Sequence, residues 1–144
     1  MRLWHIDLIP YLPKSQLVAQ WRELNSIFKK QDKHILINYI YDYPKNFLKM
    51  YAIKVKDEMY KRGFKINNLS NYHDYFNHDN PMGTANYCFI VAVGNERFKE
   101  HNHEYLTICY YNLKEKYLRG QKDFTDEVWQ KLDKFYKEQK NSGN

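Results

Sequence analysis

The sequence predicts a mainly α fold, a compact single-domain helical bundle over residues 1–144 with a long irregular middle segment. Apolar residues recur at helical spacing in separate stretches. A proline or a polar cap residue stands at the start of each stretch. Gly63 and Gly120 follow two of them, where helices commonly end. A chain of 144 residues suffices for one hydrophobic core and is short for two. It carries no internal repeat, linker or low-complexity segment.

Residues 1–12 read as an extended or irregular segment whose Leu3, Trp4, Ile6, Leu8 and Ile9 can dock on the core. Docking would hold the terminal amine beside the first helix. That helix is expected over residues 13–30, with Pro13 tolerated at its start. At about 100° per residue, Leu17, Trp21, Leu24 and Phe28 form one narrow stripe. Ala19, Arg22, Ser26 and Lys30 lie on the opposite side, with Glu23 on its flank. A cation and a carboxylate beside small side chains suit either a solvated surface or the floor of a site.

After the charged connector, Ile35, Ile37, Tyr39 and Tyr41 alternate, which predicts an extended, buried connection over residues 34–43. Pro44 opens a second helix over residues 45–62, closed by Gly63. Phe47, Leu48, Tyr51, Val55 and Met59 form its inner face. Lys45, Lys49 and Lys56 align around Ala52 as a basic stripe, read equally well as a solvated face or a phosphate-binding one. Residues 64–86 are rich in Asn, Asp and His and read as a long loop, and the apolar run at 87–93 as a strand or a buried helical turn. A third helix is expected over residues 103–118, with Asn102 as cap, Glu104 in the first turn and Tyr105, Cys109 and Leu113 inward. The last starts after Thr125, faces Val128, Leu132 and Phe135 inward, and frays over residues 137–144.

The balance of 23 Lys+Arg against 17 Asp+Glu gives a net charge of +6, which favours a polyanionic partner. The 14 Tyr, 8 Phe and 3 Trp mostly fall at helical spacing and are read as core. There is no secretory signal pattern and no apolar run of membrane-spanning length, so a cytoplasmic protein without a membrane partner is expected. Cys88 and Cys109 lie in apolar surroundings and read as reduced, buried thiols. His73, Asp74, His78 and Asp79, or His101 and His103, lack a second convergent pair at metal-ligand spacing, so no metal is expected. With five glycines and no Gly-rich phosphate loop, no cofactor is expected either. The positions left to carry chemistry are the N-terminus, Arg22-Glu23 and the lysine stripe.

These residues also carry a resemblance. The run L-x-A-x-x-R-E-L, here Leu17, Ala19, Arg22, Glu23 and Leu24, resembles the first helix of pyrimidine-dimer DNA glycosylases of the viral endonuclease V type. Its distance from the chain start matches without a gap. Tyr41-Asp42, Phe47-Leu48 and Lys61-Arg62-Gly63-Phe64 resemble that family's second helix and its ending, with His34 ahead of the block. The opening MRLW…LIPYLP is similar to bacterial proteins grouped with the family. The resemblance covers roughly residues 1–66.

It implies a compact helical fold and a combined glycosylase and abasic-site lyase acting on damaged double-stranded DNA, pyrimidine dimers being the expected lesion. In that chemistry the chain's α-amine attacks C1′ of the sugar, and a glutamate matching Glu23 stabilises the cationic sugar and moves protons. An arginine matching Arg22 contacts DNA. The bulky Arg2 should block removal of the initiator residue, so the expected catalytic pair is Met1 and Glu23. An α-amine, with an unperturbed pKa of about 8 against about 10.4 for lysine, is the more nucleophilic amine at neutral pH. Arg2, Arg22, Lys45, Lys49 and Lys56 are the expected DNA-binding residues. His5 and His34 are site-adjacent candidates, each more often a packing or capping residue than a catalyst. A monomer is expected. Two other readings remain: a non-catalytic nucleic-acid-binding module on the same scaffold, and a helical protein that binds another protein.

Overall fold

A computed structural model describes residues 1–77 and 97–142. Among these the order is a 3₁₀ segment Ile6–Tyr11, α1 (Lys14–Lys30), a 3₁₀ segment Asn38–Asp42, α2 (Lys45–Lys61), α3 (Ser70–Asn77), α4 (His103–Leu118) and α5 (Asp126–Ser142), with no strand. The mainly α class is as the sequence predicts. The apolar run at 87–93, with Cys88, lies outside the described residues.

Helix α1 starts after Pro13, which offers no side-chain cap. The cap comes from the far end of the chain. The Ser15 N–H donates to Asp123 Oδ2 at 2.6 Å, and the Ser15 hydroxyl donates to Oδ1 at 2.9 Å. Burial opposes ionisation of Asp123, but these bonds and one from Gln121 hold its carboxyl below the usual range. Helix α2 ends as its Gly63 foretells. Gly63 takes φ +86°, its N–H reaches the Tyr60 carbonyl, and the Phe64 N–H reaches that of Met59. This paired closure needs a left-handed residue, which glycine adopts without a Cβ penalty. Gly120 closes α4 in the same way, through the Tyr117 and Lys116 carbonyls.

The N-terminal segment is docked, with Leu3, Trp4, Ile6, Leu8, Ile9 and Leu12 all buried. It is hydrogen-bonded 3₁₀ structure from Ile6 onward and not an extended run. Arg62 holds its far end, donating to the Leu12 carbonyl at 2.8 Å and the Pro10 carbonyl at 3.0 Å while pairing with Glu58 at 2.9 Å. The segment packs against α2 and α5, where Tyr11 stacks on Phe135 with centroids 4.6 Å apart.

Two stretches depart from the sequence reading. Residues 34–43 form a turn and a 3₁₀ segment. Ile37 and Ile40 are buried at the three-residue spacing of that helix, whereas Ile35 is 83% exposed and Leu36 41% exposed. Within the polar stretch read as a loop, residues 70–77 form α3. Its Tyr72, Tyr75 and Phe76 meet Phe28 of α1 at centroid distances of 5.1–6.0 Å. Three rings at i, i+3 and i+4 make an apolar face that the surrounding Asn, Asp and His hide.

Helix α4 is capped by Asn102, whose Oδ1 accepts the Tyr105 N–H at 2.9 Å. Thr125 caps α5 by accepting the Val128 N–H at 3.2 Å. The two helices pack through stacked rings, Tyr110 on Tyr136 at 3.8 Å and Tyr117 on Trp129 at 5.0 Å. Leu132 is fully buried, and Val128 and Phe135 are half-buried. Helical geometry in α5 continues to Ser142, through much of the stretch expected to fray. Among the described residues, no helix is long and apolar enough to cross a membrane.

Candidate active site between the N-terminus and Glu23

A cleft of about 310 Å³ lies between the start of the chain, α1 and α4, lined by Met1, Arg2, Trp4, Gln16, Glu23, Leu36, Asn112 and Lys116. It brings Met1, Arg2 and Glu23 together, three of the residues singled out from the sequence. Arg22 is exposed on α1 next to Glu23 and does not line the cleft.

Burial pushes the Glu23 carboxyl above its ordinary value, while the terminal amine, Arg22 and Lys116 pull it back. The Glu23 carboxyl therefore senses the charge of the amine across the cleft. A carboxyl poised this way can carry a proton and can also stabilise a developing cation.

The amine's place is set by Gln20, a residue the sequence reading passed over. Gln20 is 1% exposed. Its Oε1 accepts the Trp4 N–H at 2.8 Å and the Tyr51 hydroxyl at 3.0 Å. Its Nε2 donates to the Arg2 carbonyl at 3.1 Å and to Glu23 Oε2 at 3.2 Å. One buried amide thus holds the backbone of residues 2–4 with both its ends, and the end that holds the Arg2 carbonyl also holds the Glu23 carboxylate. A sequence signal existed: Gln20 interrupts the stripe formed by Leu17, Trp21 and Leu24, and an amide in an apolar stripe demands partners.

Further side chains hold the same segment. The Tyr105 hydroxyl donates to the Leu3 carbonyl at 2.6 Å, and the single proton of the Tyr51 hydroxyl is shared between the Trp4 carbonyl at 2.7 Å and Gln20 Oε1 at 3.0 Å. His101 Nδ1 accepts the Ile6 N–H at 3.1 Å. Its proton therefore sits on Nε2, which faces the Tyr39 hydroxyl at 2.7 Å. Burial, with smaller contributions from His5 and Arg97, depresses His101 to about 3, so the ring is neutral. None of Tyr51, Tyr105 and His101 belongs to a recognisable sequence motif; each comes from a different element and meets the segment only in the fold.

Arg2 is half-buried, its guanidinium 5.8 Å from the Trp4 ring centre and 6.0 Å from that of Tyr105. Lys116 and Asn112, four residues apart on α4, complete the opposite wall, and neither was singled out from the sequence. The two candidate histidines act as local braces. His5 is buried and accepts the Asp7 N–H at 3.1 Å, capping the first 3₁₀ segment. His34 accepts the Leu36 N–H at 3.2 Å and so shapes the turn that brings Leu36 to the cleft.

The lysine stripe lies elsewhere. None of Lys45, Lys49 and Lys56 lines the cleft, and α3 covers them with rings. Lys45 Nζ sits 4.2 Å from the Tyr75 ring centre and donates to the Tyr75 carbonyl at 3.3 Å. Lys49 Nζ is 5.8 Å from the Phe76 ring and Lys56 Nζ 4.9 Å from that of Tyr72. Lys49 is 5% exposed, and burial, helped by the Lys56 charge, lowers its pKa. The stripe expected to face solvent or phosphate is thus largely a cation–π seam between α2 and α3. The displacement has a plain cause: α3 was not visible as a helix.

Cys109 is fully buried, and its thiol is pushed up by burial, which makes it inert as a nucleophile. Among the described residues, no three His, Cys, Asp or Glu side chains converge as metal ligands.

Residues 1–71 match the family model described as pyrimidine dimer DNA glycosylase. No curated protein and no solved structure matches the chain. The matched segment contains Met1, Arg2, Gln20, Arg22 and Glu23, while Asn112 and Lys116 lie beyond it. Through residues 1–71, just under half of its length, the chain is similar to the pyrimidine dimer DNA glycosylase family.

Proposed function

We propose that the chain excises damaged bases from double-stranded DNA and then cleaves the abasic site, with the Met1 α-amine as nucleophile and Glu23 as proton carrier. The observation that carries this reading is the single cleft that Met1 and Glu23 share, with Gln20 fixing one relative to the other. The neutral amine attacks C1′. A new N–C1′ bond forms as the glycosidic bond breaks, and the base leaves with that electron pair. Loss of a proton from nitrogen and opening of the sugar ring give a protonated Schiff base. Removal of a C2′ proton then sends electrons into a C2′–C3′ double bond and expels the 3′ phosphate. Water hydrolyses the imine and returns the amine.

Glu23 stabilises the cationic sugar in the first step and takes the proton in the later ones. Burial raises its pKa above the ordinary carboxyl value while the surrounding cations pull it back, an environment that suits a group that must gain and lose a proton. Arg2, Arg22 and Lys116 supply positive charge around the opening for DNA phosphates, contacts that hold DNA without reading sequence. Lys45, Lys49 and Lys56 brace α3 instead.

The test is reduction with borohydride in the presence of duplex DNA carrying an abasic site or ultraviolet damage. The wild-type chain gives a covalent adduct, and Glu23→Gln gives far less while still binding. Salt-sensitive binding to DNA with no adduct from the wild type would overturn the catalytic reading in favour of a binding module.

A further inference from the structure

The turn after α1 presents Ile35 and Leu36 to solvent at the edge of the cleft. Ile35 is 83% exposed and Leu36 41%, and Leu36 lines the cleft beside Met1, itself 37% exposed. The turn that carries them is braced. The Ile37 and Asn38 N–H groups donate to the His34 carbonyl at 2.8 and 2.9 Å, and the Leu36 N–H donates to His34 Nδ1. Behind it, Tyr41 donates to the Asp32 carbonyl at 2.5 Å, and the Ser26 hydroxyl donates to the Asp32 carboxylate. The one carboxylate in this connector is therefore turned toward the body of the protein. Lys29 and Lys30 in the last turn of α1 and Lys33 in the connector are exposed.

An ordered turn that holds apolar side chains outward, flanked by cations and adjoining a candidate DNA-repair cleft, has the chemistry of an unstacking wedge. Cations attract the phosphates, and an apolar tip enters where a base step opens. A buried partner protein would not favour so many unpaired lysines around two apolar side chains. A duplex satisfies both halves of the surface. Extrusion of a nucleotide also requires that its place in the stack be taken or opened, and the tip stands at the mouth where this would occur.

We propose that Ile35 and Leu36 form a wedge that inserts into duplex DNA beside a damaged site and opens the base stack next to the cleft. The proposal rests on the DNA-repair reading above but not on its covalent step. The partner is duplex DNA distorted by damage, engaged at a base step and through the flanking phosphates.

The experiment uses duplex DNA with a tetrahydrofuran abasic analogue, which forms no Schiff base, and 2-aminopurine as the neighbouring base. Fluorescence is read at protein concentrations where anisotropy shows all the DNA bound. The wild type raises 2-aminopurine fluorescence. Ile35→Ser with Leu36→Ser loses that rise at saturation and binds this duplex about tenfold more weakly. Lys30→Gln with Lys33→Gln also weakens binding and lowers its salt dependence, but at saturation it restores the full rise. Circular dichroism melting checks that the serine variant folds, as its exposed positions allow. An equal rise for the serine variant and the wild type would overturn the proposal, as would saturated wild-type binding with no rise. A fluorescence rise without any borohydride adduct on a true abasic site would instead sink the covalent reading and leave the wedge standing.

Discussion

Replacing Gln20 by leucine removes the amide while nearly keeping its volume, and the structure sets the size of the effect. Four hydrogen bonds disappear. The Trp4 N–H is the costly one, because it lies beside a buried ring and loses its partner outright, at about 2 kcal/mol. Tyr51 keeps its bond to the Trp4 carbonyl. The Arg2 carbonyl and the Glu23 carboxylate border the cleft and can turn to water. Those three losses are worth about 0.5 kcal/mol each, which brings the total to about 3.5 kcal/mol. Denaturant unfolding reads this directly as a lower midpoint at unchanged slope. The functional effect is separate. At a temperature where the variant stays folded, its rate of adduct formation falls about tenfold, because the amine is no longer held to the cleft. Amide hydrogen exchange at Trp4 accelerates. A Gln20→Leu protein within 1 kcal/mol of wild type, with Trp4 still protected, would refute the claim that this amide positions the N-terminus.

Other expectations follow from the titrating groups. Because burial raises the Glu23 carboxyl above 4.5, the acid limb of adduct formation steepens at a pH above that value as Glu23 takes up a proton; Lys116→Gln removes a cation that opposes the shift, so the steepening moves to still higher pH in a pH–rate profile. His101 is depressed from 6.5 to about 3, so its contribution is complete above pH 6.5 and is lost as pH falls toward 3. Linkage makes this loss on the order of 5 kcal/mol, and unfolding free energies of His101→Asn measured across that window should show a flatter dependence. Lys49 is lowered in the same sense, so folding gains as it sheds its proton. Lys49→Met should match wild-type stability at pH 7 or exceed it by about 1 kcal/mol in thermal melts, and a loss of more than 1 kcal/mol would show that the ammonium holds α3 in place.

Legibility in the sequence divided along a physical line. Helices α1, α2, α4 and α5 announce themselves, because each combines a periodic apolar face with an opening proline, a cap or a terminal glycine, and all of these are local. The docked N-terminus was also readable, since Leu3, Ile6, Leu8 and Ile9 have no use in solvent. The missed pieces depend on contacts far away in sequence. Three rings give α3 its face only because Phe28 is there to receive them. Ile35 looked buried because the alternation suggests an extended, buried connection, yet the spacing of Ile37 and Ile40 decides the turn. At the site, Met1, Arg2 and Glu23 could be named from the sequence because the family resemblance runs from the chain start without a gap. Lys116, Asn112, Tyr105 and His101 come from the other half, and only the fold brings them to the N-terminus. Gln20 was visible as a polar residue in an apolar stripe, but its two-ended role was not.

The central claim is that the terminal amine, and no lysine, bonds to the sugar. Mass spectrometry of the borohydride-reduced adduct after proteolysis tests it most directly. Lys116 lines the same cleft and offers the rival amine. The account predicts the reduced sugar on the α-nitrogen of the peptide that begins with Met1, and an undiminished adduct in Lys116→Met. A sugar found on Lys116, or an adduct unaffected when the α-amine is acetylated, would contradict it.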